Sequence, residues 1–256
     1  MAIRTFAAID VGSFELEMGI YEMSYKTGIR RVDHIRHVIA LGKDTYSGGK
    51  ISYGLVEEMC QVLGEFAQIM KAYRVKDYRA YATSAMREAR NNQIILDQIR
   101  VRTGITVRII SNSEQRFISY KAIAAKAGEF NKIIQKGTAI VDVGFGSAQL
   151  SLFDKDSLVT TQNLPLGTLR VRGLLANIPA TVAEHREHIE EIVDNELFTF
   201  RKMYLKDREI NNLIGIGENI LYIINRMDLK AYGDRIDAAA MNRFYERLCQ
   251  MTTDQI

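Results

Sequence analysis

The feature that most constrains this fold is a strand-to-turn unit that occurs twice. From Thr138 to Leu150, TAIVDVGFGSAQL, apolar residues run into an acid and then a glycine-rich turn, the pattern of a buried strand that ends at a phosphate. Phe6 to Ser13, FAAIDVGS, repeats the strand, the Asp and the Gly-Ser turn. The pair predicts two similar α/β halves facing one another across a cleft. Asp10 and Asp142, each at such a strand end, are positioned to hold a divalent ion or a water. Gly12, Gly144 and Gly146 lack Cβ atoms and let backbone N–H groups approach an oxyanion. Neither copy is a G-x-x-x-x-G-K-[ST] loop or a full G-x-G-x-x-G fingerprint, so the common nucleotide-binding motifs do not apply. One such turn alone is usually only a hairpin; the repetition carries the reading.

At 256 residues the chain has room for two domains, and 47% hydrophobic with 25% charged residues is the composition of an ordinary globular protein. A formal charge of +3 is too small to imply nucleic acid, although a cluster of it suits an acidic substrate. Cys60 and Cys249 are isolated, without C-x-x-C spacing, which fits a reducing compartment and argues against both a disulfide scaffold and a zinc site. No stretch approaches the ~20 apolar residues of a membrane span. A cytoplasmic protein with no membrane or nucleic-acid partner is expected.

Leu16, Met18 and Ile20 alternate with Glu15, Glu17 and Gly19, a period of two that hairpins a second strand onto Phe6 to Val11. The following strand, with Arg30, Arg31, His34, Arg36 and His37, reads as a solvated edge. Leu41 to Lys50 reads as a glycine-punctuated loop. A core-facing helix is expected from about Ser52, its N-cap, to Tyr73, with Leu55, Met59, Val62, Leu63, Phe66, Ile69 and Met70 on one face.

Asp77 to Ala82 is expected as a strand, after which Thr83-Ser84 opens a helix containing Arg87, Arg90 and Asn91. Orphan N–H groups, the helix dipole and the Arg87 guanidinium would act together there on an anion. A second helix to about Thr103, a stop at Gly104 and a strand from Thr106 to Ile110 complete a β-α-β unit. Ser111-x-x-Glu114 has capping-box spacing, so the residues alone make Glu114 a helix cap. The domain boundary is placed near residue 122, giving halves 1–122 and 123–256. In the second half a strand through Leu150 and Leu152 turns at Asp154-Lys155-Asp156. A long helix runs from about Thr181 to Lys202 and carries His185 and His188 without a third ligand. Asn212 to Ile216 forms a strand leading to a third glycine turn, Gly215 to Asn219.

These residues resemble the exopolyphosphatase and guanosine pentaphosphate phosphohydrolase family, a branch of the actin-like ATPase fold with two ribonuclease-H-like domains whose mixed sheets face an interdomain cleft. The most specific match is Ala82-Thr83-Ser84-Ala85-Met86-Arg87-Glu88-Ala89-x-Asn91. In chain order it is joined by Ala8 to Ser13, Leu41-Gly42, Gly49-x-Ile51-Ser52, Ile110-Ser111 leading to Glu114, Asp142-Val143-Gly144-x-Gly146-Ser147 and Leu166-Gly167-x-x-Arg170. The resemblance implies removal of a terminal phosphate from inorganic polyphosphate or guanosine pentaphosphate. Glu114 would be the general base, Arg87 would neutralise equatorial oxygens, and Gly12, Ser13, Thr83, Ser84, Gly144, Gly146, Ser147 and Arg170 would hold phosphates. Asp10 and Asp142 would place magnesium. A homodimer is the assembly compatible with it, and the second half would end short of the family's final strand and helix.

The departures point to a second class of function. Ser13-Phe14-Glu15 stands where the family has Ser-Asn-Ser, Gln149 where it has Glu, and Glu218-Asn219 where it has Gly-Thr. On that side the chain would be a weakened relative that binds polyphosphate or the alarmone and regulates a partner.

Overall fold

A computed structural model describes residues 3–26, 28–126, 130–176, 178–179, 181–226 and 236–251. The first half opens with strands β1 (Arg4–Val11), β2 (Glu15–Ser24) and β3 (Gly28–Val38). Helices α1 (Leu41–Gly48) and α2 (Tyr53–Ala72) follow, then β4 (Asp77–Ala82), α3 (Ser84–Glu88), α4 (Asn92–Thr103) and β5 (Arg108–Ile109). Helices α5 (Asn112–Lys126) and α6 (Phe130–Ile133) lead to the second half. That half contains β6 (Thr138–Val143), β7 (Ala148–Asp154), β8 (Ser157–Leu164), α7 (Thr168–Leu175), α8 (Val182–Phe200), β9 (Asn212–Ile216), α9 (Glu218–Arg226) and α10 (Ala238–Gln250).

The two sheets share one plan. The first has the order β3-β2-β1-β4-β5 and the second β8-β7-β6-β9. In each, an antiparallel hairpin carries the repeated Asp, and a strand from further along the chain pairs parallel to its first arm. The registers correspond: Asp10 lies opposite Glu17, and Asp142 lies opposite Gln149. Position 122 falls within α5, the helix between the sheets.

Strand alternation decides which residues reach the cleft. Ala7, Ile9 and Val11 of β1 and Leu16, Met18 and Ile20 of β2 are buried against α2, where Met59, Leu63 and Phe66 meet them. Each of these side chains other than Ala7 contributes about 1.5–3 kcal/mol on burial. Because successive side chains point to opposite faces, Ala8, Asp10, Glu17 and Gly19 turn the other way. The second core is smaller, built on Phe130, Ile134, Ile140 and Phe153 with Tyr120 and Ile123 of α5 against it.

Several local expectations change. Leu41 to Lys50 is not a loop: α1 forms because Leu41, Gly42 and Thr45 bury one face, and Gly49, at φ 70°, ends the helix with its N–H on Thr45 O. Ser52 stands at the N-cap of α2 but makes no side-chain cap. The helix after Thr83 is short, ending at Glu88, so Arg90 and Asn91 lie beyond it. There Asn91 bonds both backbone groups of Ile51. β5 is reduced to Arg108–Ile109. β4, β9 and the Gly104 stop match their expected bounds.

Candidate functional site

The two Asp-bearing turns line one cavity of about 470 Å³. Asp10, Gly12, Ser13, Glu15 and Glu17 approach it from the first hairpin, and Asp142, Gly144, Gly146, Ser147 and Gln149 from the second. Thr83 and Ser84 close one side and Glu218 with Asn219 another. α5 contributes Gln115, Ile118 and Ser119. Glu114, Arg87 and Arg170 are outside this lining. The structure thus brings together most of the expected phosphate and metal residues but not the expected catalytic pair.

Backbone geometry explains part of that division. Gly12 N–H donates to Glu15 O at 2.9 Å, and Gly144 N–H to Ser147 O at 3.0 Å, so both amides close their own turns instead of facing an anion. Side-chain hydroxyls face the cavity instead: Ser13 and Ser84, each about 5–6% exposed, have their Oγ atoms 2.8 Å apart. Arg87 is engaged by the chain itself: it donates to Ile110 O at 2.7 Å and Asn112 Oδ1 at 2.5 Å and so fixes the approach to α5. Arg170 donates through Nε to Gly146 O at 3.0 Å and through Nη2 to both carboxylate oxygens of Glu88 at 2.8 Å.

Glu114 realises the capping box. Ser111 N–H donates to Glu114 Oε2 at 2.9 Å, Glu114 N–H donates to Ser111 Oγ at 3.2 Å, and Arg108 holds Oε1 at 2.6 Å. The Ser111 amide, and after it the Arg108 guanidinium, hold the carboxyl below its ordinary range. One residue further along the helix, Gln115 presents an amide to the cavity.

Carboxylates dominate the cavity. Glu15, buried, binds Arg36 Nη2 at 2.6 Å, and Arg36 Nε lies 3.0 Å from Glu17 Oε1. Arg36 Nη1 is also 3.4 Å from Glu218 Oε2, an ion pair that joins the halves. The basic run on β3 is thus more than a solvated edge at two positions. Arg36 offsets three acids, and His34, 3.5 Å from Glu17 Oε2, reaches the cavity wall. Burial raises the Asp142 carboxyl. Asp10 is pushed up to about 7, by desolvation first and then by Glu17, Glu15 and Asp142.

That shift has a stability consequence. Below the unfolded value of 3.8 the protonated Asp10 favours the native state fully, and the contribution is lost as pH rises through about 7. Full burial would make the effect about 4 kcal/mol, but Asp10 is exposed along the cavity wall, so about 1–2 kcal/mol is expected. With divalent ions chelated, Asp10→Asn should therefore flatten the decline in thermal stability between about pH 4 and 7. A wild-type decline that the variant reproduces would place the titrating group elsewhere.

Two features escaped the sequence. Gln149, only 3% exposed, has neither amide atom hydrogen-bonded among the described residues. The rings of Phe14 and Phe145 meet at 4.6 Å between centroids, one from each turn. A third glycine turn was legible: Asn219 Nδ2 donates to Val143 O at 2.8 Å and ties the start of α9 to the second Asp strand. Asp254 to Ile256 lie outside the described residues.

Comparison with known proteins is consistent across sequence and fold. The model of the Ppx/GppA phosphatase family matches residues 21–256. "Exopolyphosphatase 1" of Mycobacterium leprae is 27% identical over 165 residues, covering 64% of this chain and 47% of that protein. "Guanosine-5'-triphosphate,3'-diphosphate pyrophosphatase" of Photobacterium profundum is 24% identical over 197 residues, covering 74% of this chain and 38% of that protein. The chain therefore matches less than half the length of either relative. Among solved structures, the Ppx/GppA family member of Aquifex aeolicus superposes with a TM-score of 0.75 at 18% identity, covering 99% of this chain and 81% of that one. An exopolyphosphatase from Cytophaga hutchinsonii gives 0.75 at 19% identity, with 97% and 81% covered. These likenesses establish the two-domain actin-like fold. Among the described residues no helix is long and apolar enough to cross a membrane.

Proposed function

Because this chain belongs to the Ppx/GppA phosphatase family, we propose that its cleft binds the end of a phosphoanhydride chain and hydrolyses the terminal bond slowly. The substrates are inorganic polyphosphate or guanosine pentaphosphate, in the cytoplasm. The observation that carries this reading is the cavity bounded by both Asp-bearing turns and the Ser13 and Ser84 hydroxyls. A divalent ion such as magnesium suits the donors present: Asp10 and Asp142 line that cavity and would supply carboxylate oxygens to it. When bound, it would offset phosphate charge that the surrounding carboxylates otherwise oppose. Ser13 and Ser84 donate hydrogen bonds to phosphate oxygens, and Arg170 holds the second turn against the first half.

Turnover is slow in this proposal because the base is held away from the water. Glu114 acts only after leaving Arg108 and Ser111, while the α5 residues that line the cavity, Gln115, Ile118 and Ser119, carry no carboxylate to serve as a base. The favoured test is phosphate release from tripolyphosphate with and without magnesium, for wild type and Glu114→Gln. The amide still satisfies a capping box, so stability should change by less than about 0.5 kcal/mol while the rate falls by about 10²–10⁴. Retention of the wild-type rate would exclude Glu114 as the base. The presence of amides at both Gln115 and Gln149 favours a second reading, retention of the polyanion as a regulatory ligand. Magnesium-dependent binding with no phosphate release would select it.

A further inference from the structure

Tyr46 lies on α1, outside every motif in the sequence, yet the expected phosphate ligands converge on it. Its hydroxyl is 2.7 Å from Ser13 Oγ and 2.9 Å from Ser84 Oγ, and with the Ser13–Ser84 contact of 2.8 Å the three form a closed ring of hydroxyls. Ala85 N–H adds a donor to Ser13 Oγ at 3.3 Å. The Arg170 guanidinium lies 4.0 Å above the Tyr46 ring. Gly146 packs directly on the hydroxyls, for a Cβ there would fall 1.9 Å from Tyr46 Oη and 2.2 Å from Ser84 Oγ. Ser13, Ser84 and Gly146 line the cavity, and Tyr46 stands behind them.

A count of protons shows what the phenol does. In the closed ring each hydroxyl donates once and accepts once, so no proton is left for a ligand. For Ser13 and Ser84 both to donate to a phosphate, the bond between them must open, and each oxygen is then held in place by whatever donor remains to it. Ala85 N–H serves Ser13, and the remaining donor is the Tyr46 hydroxyl, which serves Ser84. The two seryl protons then point together at the anion. The ring of Tyr46, held by Arg170, which in turn binds Gly146 O and Glu88, fixes this arrangement relative to the second half.

We infer that Tyr46 is a positioning residue for the phosphate site, aligning the two seryl donors without touching the substrate; the inference rests on the proposed phosphate-binding reading. Tripolyphosphate binding by calorimetry in the presence of magnesium, together with steady-state phosphate release, tests it. Tyr46→Phe keeps the ring beneath Arg170 and removes the proton. It should weaken tripolyphosphate binding and raise KM by about 5- to 20-fold, leave kcat within about twofold, and leave the melting temperature within about 2 °C of wild type. Tyr46→Ala should lose stability as well, and Phe should restore the stability but not the affinity. Ser84→Ala should weaken binding similarly, and adding Tyr46→Phe to it should cost nothing more. Wild-type affinity in Tyr46→Phe, or losses that multiply in the double variant, would overturn the role of Tyr46. Failure of the wild type to bind tripolyphosphate would instead remove the phosphate-site reading itself, and this role with it.

Discussion

Gln115→Glu should raise phosphate release from tripolyphosphate by about 10- to 100-fold at neutral pH. The substitution keeps the length and shape of the side chain and converts a cavity-lining amide into a carboxylate with a basic lone pair. General bases contribute about 10²–10⁴ to such reactions, and the lower end is expected where neighbouring acids already crowd the site. Glu17, Glu15 and Asp10 share the cavity, so the new carboxyl should carry a raised pKa, which suits a base working near neutrality. Gln115→Ala is the companion measurement, since it opens the same space without a base. A rate unchanged in Gln115→Glu and reduced in Glu114→Gln would mean that the water is activated from the capping-box position alone.

The second large effect concerns folding. A Cβ at Gly167 would fall 2.2 Å from Gly146 C and 2.4 Å from both Gly146 Cα and N. These are backbone atoms, so no side chain can swing away, and α7 must retreat from the second Asp turn. That movement breaks the bonds from Thr168 N–H to Gly144 O (3.3 Å) and from Leu169 N–H to Phe145 O (2.9 Å). Gly167→Ala should therefore destabilise the protein by about 3 kcal/mol, which for a chain of this size lowers the melting temperature by roughly 6–12 °C. Thermal denaturation followed by circular dichroism reads it directly. A loss below about 2 °C would show that α7 and the turn separate without cost.

The parts of this structure that were legible in the sequence are those governed by local rules. Alternation fixed β2, and the apolar face of α2 predicted the burial of Met59, Leu63 and Phe66. Gly104 stopped α4 where its positive φ of 73° requires a residue without Cβ. The repeated Asp and the hydroxyls of Ser13 and Ser84 marked the cleft because each follows directly from a strand end. α1 was missed because its glycines read as breakers, whereas Gly49 is the C-terminal cap of a helix held by tertiary burial of Leu41. Ser111-x-x-Glu114 was recognised both as a box and, by resemblance, as a base. Which of two adjacent α5 residues meets the cavity depends on helix rotation, and no spacing rule gives that. Tyr46 and Arg36 were invisible as site residues because their partners come from separate elements. Arg36 lies in a charged strand turned mostly to solvent, and only the assembled halves bring Glu218 to it.

The ring pair of Phe14 and Phe145 is a direct apolar tie between the two Asp-bearing turns. Such a contact contributes about 0.5–1.5 kcal/mol beyond the area it covers, a made-to-broken ratio of roughly 2 to 12. Taken alone, it would be broken for between about a third and a thirteenth of the time. The phenylalanine at position 14 therefore does more than remove a polar side chain from the first turn: it gives the two halves a weak, reversible point of adhesion beside the Arg36–Glu218 ion pair.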